Sequence, residues 1–160
     1  MLSSRRAPSP SRFDMSDSDR DDDASVTMPD PQFGEHVDLG TFNQILEMDE
    51  DDHDFSKPLV DNFFEQAEET FAQMDTALSQ RDLEELSKLG HFLKGSSATL
   101  GFSLIRDSCQ VIQQYGSHLN VDGSRETNDA VCLAKIEEAL ADVKVHTAAL
   151  KEMMQGFFGE

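Results

Sequence analysis

His91, Lys94 and Gly95 are the residues of this chain whose types and spacing could do chemistry together, in the run His91-Phe92-Leu93-Lys94-Gly95-Ser96-Ser97-Ala98-Thr99-Leu100-Gly101-Phe102. At about 100° per helical residue, and with His91 as origin, Lys94 falls near −60°, Gly95 near +40°, Ser87 near −40° and Ala98 near −20°. Leu86, Leu89, Leu93 and Leu100 fall within roughly 40° of the opposite side. The leucines therefore face a core and the histidine faces outward. An outward imidazole is largely neutral near pH 7 and can act as a nucleophile. Phosphoryl transfer suits it, because the loose transition state depends on positioning and charge neutralisation more than on a base. Lys94, one turn on, supplies a compact cation. Gly95 removes a side chain that would keep a partner's loop away from His91, and a glycine inside a helix costs about 1 kcal/mol relative to alanine. On spacing alone, an ordinary solvated helix surface describes these residues equally well. Ser96 and Ser97 fit hydrogen bonds back to helix carbonyls.

Other chemistries fit less well. No Ser, Cys or Asp is fixed beside His91 to make a hydrolase triad. The acidic run Asp49-Glu50-Asp51-Asp52-His53-Asp54 invites a calcium reading, but an EF-hand needs Gly at its sixth position and Glu at its twelfth. Counted from Asp49, those are Asp54 and Val60. The run is therefore expected to be a solvated connector. Glu50-x-x-His53 is the one pair of its kind, whereas a di-iron bundle needs two and inward glutamates besides. The sequence thus predicts no metal and no cofactor on this chain.

The elements that must position His91 follow from hydrophobic period and end signals. Residues 1–37 are rich in Ser, Asp, Arg and Pro with few large apolar side chains, and are expected to be a disordered tail. Residues 38–160 form the folded domain. Asp38 caps a short helix through Thr41, Phe42, Ile45 and Leu46. A second helix, opened by Ser56 as cap with Pro58 in its first turn, carries Val60, Phe63, Phe64, Ala67, Phe71, Met74 and Leu78 and ends near Ser79. Asp82 and Glu85 start the helix of His91 in the manner of a capping box, and Gly101 stops it. A fourth helix runs through Ile105, Cys109, Ile112 and Tyr115 to Gly116. After a polar linker over Asn120 to Glu126, a last helix carries Leu133, Ile136, Leu140, Val143, Thr147, Leu150 and Met154 and ends at Gly156. The fold class is all-α: an antiparallel four-helix bundle with one short additional N-terminal helix.

With 13 Lys and Arg against 32 Asp and Glu in 160 residues, the net charge of −19 opposes binding to nucleic acid or to an anionic membrane. The expected partner is a protein. Cys109 and Cys132 sit within helical patterns rather than in a disulfide framework, so a reducing compartment is expected. No apolar run approaches the ~20 residues of a membrane span.

His91 to Ala98 resembles the phosphorylation motif of histidine phosphotransfer proteins, specifically the fungal intermediates of multistep phosphorelays. The run Ile45 to Lys57 and Phe71-Ala72-Gln73-Met74 are similar to that family too, so the likeness covers about residues 38–118; the last helix fits in pattern only. The resemblance implies a monomer of the cytoplasm and nucleus without kinase activity of its own. In it, His91 takes a phosphoryl group from the aspartate of one response-regulator receiver domain, on a hybrid sensor kinase, and gives it to another. Mg²⁺ would belong to the receiver. Lys94 and Gly95 keep the family's roles, and Gln113 matches a glutamine that helps hold the site's geometry, with a solvent-facing amide as the alternative reading. The family's apolar docking patch would comprise Thr41, Ile45, Met48, Phe55, Leu59 and Phe92, and packing of the short first helix against the bundle competes for several of these. Thr41 and Pro58 depart from the residues expected at their positions.

Overall fold

A computed structural model of the chain describes residues 30–159, with side chains from 33 onward. Phe33–Glu160 form one compact unit. Of the expected tail over residues 1–37, residues 1–29 lie outside the described residues. A short 3-10 turn, Asp30–His36, leads into α1 (Leu39–Leu46), α2 (Ser56–Ser79), α3 (Leu83–Leu100), α4 (Ser103–Gly116) and α5 (Asp129–Phe158). Helices α2 to α5 form the bundle: α3 packs on α2 and α4, α4 on α5, and α2 on α5 closes the ring. Two isolated bridges, Val37 with Phe102 and Leu119 with Arg125, are the β pairings among the described residues.

The three-four stripes become the core. Val60, Phe63, Phe64, Ala67, Phe71 and Met74 of α2 are buried, as are Leu83, Leu86, Leu89, Leu93 and Leu100 of α3 and every expected stripe residue of α5. Leu78 is half-buried and Ala77 takes the inner position at the end of α2. Lys144 to Asp75 at 2.9 Å and Lys151 to Glu68 at 3.1 Å join α5 to α2 at the surface, each worth at most about 1 kcal/mol.

The ends of α3 form for local reasons. Asp82 accepts a hydrogen bond from Glu85 N at 3.1 Å, which satisfies one of the free N–H groups of the first turn. Gly101 closes the helix with φ 80°, ψ 19°, a left-handed stop that a side chain would strain. A Cβ there would also lie 2.8 Å from Asp38 O. Asp38 N donates to Gly101 O at 2.7 Å, so the start of α1 is tied to the end of α3. The Asp38 carboxylate then caps α1, accepting from Gly40 N at 3.1 Å and Thr41 Oγ1 at 3.0 Å.

Three expectations need correction. The folded region begins before residue 38, since Phe33 and Val37 are buried, with the Phe33 ring against Phe42 and Phe157. Ser56 does not cap α2; it is buried in the first turn, and Asp49 caps the helix from seven residues away, accepting from Phe55 N, Ser56 N and Ser56 Oγ at 2.7–2.8 Å. The acidic run is still the expected connector, with Glu50, Asp51, Asp52 and Asp54 exposed, but the half-buried Asp49 makes it an ordered capping loop. Residues 120–126 are the expected polar linker, closed as a turn by Asn120 N donating to Ser124 O at 2.7 Å and Ser124 N to Asp122 Oδ1 at 2.9 Å. Finally, α5 runs past Gly156 and stops at Gly159 with φ 80°. The packing of Phe157 and Phe158 outweighs the cost of one interior glycine.

Candidate functional site

Helix α3 turns His91 and Phe92 to solvent while Leu89 and Leu93 anchor the opposite face. Lys94 is half-buried along α4, where its Nζ donates to Gln110 Oε1 at 2.9 Å. Because that acceptor is a neutral amide, the bond orders the ammonium without cancelling its charge. Spacing did not single out Gln110; its position one turn before Gln113 on the same helix was the available signal.

Gly95 and Gly90 have different reasons to lack a side chain. A Cβ at Gly90 would lie 3.0 Å from Gln113 N and 3.1 Å from Cys109 O, so that glycine lets α3 and α4 approach. A Cβ at Gly95 would meet nothing within 4 Å. Neither packing nor a left-handed backbone explains Gly95, and the space above it is open beside His91. Ser97 Oγ bonds back to Leu93 O and Lys94 O, and Thr99 Oγ1 to Gly95 O, at 2.8–3.0 Å. Ser97 is buried in that role, while Ser96 stays half-exposed.

Gln113 is brought against α3 through its backbone: its N faces Gly90, and its O accepts from Ser87 Oγ at 3.2 Å. Its side-chain Oε1 is buried and has no hydrogen-bond partner, an unsatisfied acceptor next to the turn that carries His91.

The expected docking residues divide. Met48, Phe55 and Phe92 are exposed by 60%, 39% and 49%, and with Val121 and Val145 they are the exposed large hydrophobic residues among those described. Leu59 is half-buried and lines a groove of about 250 Å³ between α2 and α3, together with Gln66, Ser96 and Thr99. That groove adjoins the open face at Gly95. Ile45 is instead buried in the core, where it positions α1, and Thr41 is half-buried with its hydroxyl donating to Asp38. Among the described residues, no three His, Cys, Asp or Glu side chains converge as a metal site, and no helix is long and apolar enough to cross a membrane.

Residues 58–156 match the family described as the Hpt domain. The chain belongs to the Hpt domain family. It is 49% identical over 109 residues to the multistep phosphorelay regulator 1 of Schizosaccharomyces pombe, a match covering 67% of this chain and 37% of that protein. It is 53% identical over 75 residues to the phosphorelay intermediate protein YPD1 of Saccharomyces cerevisiae, covering 46% of this chain and 45% of that one. The matches thus span less than half the length of these curated relatives. In structure it is similar to the Saccharomyces cerevisiae histidine phosphotransfer signaling protein Ypd1, as co-crystallised with the receiver domain of its downstream response regulator Ssk1. That likeness has TM-score 0.69 and 32% identity, and covers 78% of this chain and 95% of that one. As an Hpt domain, the fold is the helical bundle that the periodicity implied.

Proposed function

We propose that this chain relays a phosphoryl group between receiver domains, taking it from the aspartyl phosphate of one, holding it on His91 and giving it to the aspartate of another. The observation that carries the reading is the open face itself: an exposed imidazole, an ordered ammonium one turn away and a glycine with nothing above it. Membership of the Hpt family and the receiver domain bound to Ypd1 support it.

A ring nitrogen of neutral His91 attacks phosphorus. The N–P bond forms as the acyl O–P bond breaks, the first receiver keeps the released carboxylate and the imidazole keeps its N–H proton. Transfer to the second aspartate reverses these changes. Lys94 faces the phosphoryl oxygens and offsets their charge, which suits a loose transition state better than a base would. Gly95 leaves room for the receiver's loops, and Gln113, packed beside Gly90, steadies the turn that holds His91. The receiver supplies the aspartate and a Mg²⁺ ion. It docks on the exposed Met48, Phe55 and Phe92 and on the groove beginning at Leu59. On this reading the chain is a monomeric carrier without kinase activity, acting in the cytoplasm and nucleus.

Incubation with a phosphorylated receiver domain tests the assignment. Acid-labile, base-stable label is expected on the wild type and absent from His91→Gln. Equal labelling of both proteins would overturn the role of His91, and binding without any labelling would make the chain a helical adaptor instead.

A further inference from the structure

The loop between α1 and α2 presents Met48 and Phe55 near its two ends, and its shape is held both from within and from outside. Asp52 and His53 are consecutive non-glycine residues with φ 43° and 62°, a left-handed pair that persists only where surrounding contacts impose it. Within the loop, Asp49 gathers the start of α2 through Phe55 and Ser56 and lies 3.2 Å from His53 Nδ1. Glu50 N donates to Asp54 Oδ1 at 2.9 Å. The external hold is aromatic: the His53 ring centre lies 5.3 Å from Phe157 and 5.0 Å from Phe158, which meet each other edge to face at 5.1 Å. Phe157 also contacts Phe33 at 5.6 Å and Phe42 at 6.1 Å. Both phenylalanines are half-buried at the rim of the core. The last turn of α5 thus does more there than fill space: it grips the loop by its histidine.

We infer that Phe157 and Phe158 are positioning residues for receiver docking. By clasping His53 they hold the left-handed pair, keep Asp49 turned onto α2, and so fix Met48 and Phe55 in place before a receiver arrives. Released from the clasp, the loop has to be ordered at each encounter, and docking weakens by that cost. The inference rests on the docking reading above and adds to it the end of a helix that comes from another part of the chain.

The test is the rate of phosphoryl transfer against receiver concentration, using the full chain and its variants. Phe158→Ala is expected to raise the half-saturating receiver concentration about tenfold, equivalent to about 1.4 kcal/mol. Its effect should be confined to that concentration, Phe158→Tyr should restore it, and amide exchange over residues 50–55 should quicken. His53→Ala, which leaves α5 intact, should reproduce the effect and add little to Phe158→Ala in the double variant. If Met48→Ala and Phe92→Ala raise the half-saturating concentration while Phe158→Ala and His53→Ala do not, the clasp has no part in docking and the inference is overturned alone. If Met48→Ala and Phe92→Ala leave it unchanged, the docking reading falls and the inference with it.

Discussion

Replacing Gly95 by alanine and by glutamine separates the stability of α3 from the reach of its face. A methyl group at Gly95 meets nothing within 4 Å, so the packing term is zero and the helix propensity term stands alone. That term favours alanine by about 1 kcal/mol and glutamine by about half as much. For a domain of this size the alanine gain raises Tm by about 3–4 °C. Gly116 supplies the contrast, since a Cβ there would lie 2.7 Å from Ser87 N and 2.8 Å from Ser87 Cα. Gly116→Ala must push α3 and α4 apart and is expected to cost about 1–3 kcal/mol. Transfer should move the other way at Gly95. A glutamine side chain beside His91 occupies the receiver's approach, and a displacement of about 1 Å at a reacting centre can cost roughly 10²-fold in rate. Urea melts give the stabilities, and single-turnover transfer from a phosphorylated receiver, quenched and resolved by label on histidine, gives the rates. A stabilised protein with transfer at least tenfold slower is the expected result for Gly95→Gln. Lower stability in Gly95→Ala would show that the fold needs the glycine, and an unchanged rate in Gly95→Gln would remove the steric account.

Lys94→Ala should slow transfer by on the order of 10²-fold, as the loss of one preorganised charge at a transition state does. Its stability should change by about 1 kcal/mol, since the half-buried side chain makes one hydrogen bond, to the neutral amide of Gln110; unfolding seen by circular dichroism would make Lys94 structural. Asp49 predicts a pH dependence. Burial works against its ionisation, but hydrogen bonds from the Ser56 hydroxyl and backbone, the Phe55 N–H and His53 outweigh it and hold the carboxyl below its ordinary value. A carboxyl lowered in the folded state contributes stability that is complete above the unfolded value, about 4, and is lost as pH falls through the folded one. Urea melts of wild type and Asp49→Asn should therefore differ most above pH 5 and converge toward pH 3; a gap that is constant with pH would contradict the assignment.

What was legible in the sequence was local. The leucine stripe of α3, its Asp82 cap and its Gly101 stop are each written within one turn of where they act, and all three hold in the structure. The outward direction of His91 follows from the same arithmetic. Asp49 was misread because its partner Ser56 is seven residues away across a loop with two left-handed residues, which no periodicity encodes. Ser56 has the composition of a cap and the position of a donor to one. The end of α5 was misplaced because Gly156 is a stop signal by composition, while the contacts that overrule it come from His53, about a hundred residues earlier. Ile45 fell inside rather than outside for a related reason: a short helix has one face, and the tie between Asp38 and Gly101 decides which way it turns.

The division between local and distant terms bears on how the site selects a partner. An imidazole this exposed cannot choose by enclosing a substrate, and the Lys94 ammonium, bound to a neutral amide, can donate to any phosphoryl oxygen. The overall charge of −19 repels anions without discrimination, and at physiological salt its reach is about 8 Å. On the proposed docking mode, selection would fall to the short-range apolar surface of Met48, Phe55 and Phe92, whose exposed area would be buried in a way insensitive to salt. Two of those three side chains stand on the loop that Asp49 caps and His53 anchors. On the proposed relay, the chemistry at His91 can then stay permissive toward receivers, because most of the discrimination would reside in a loop shaped by residues away from the phosphoryl group.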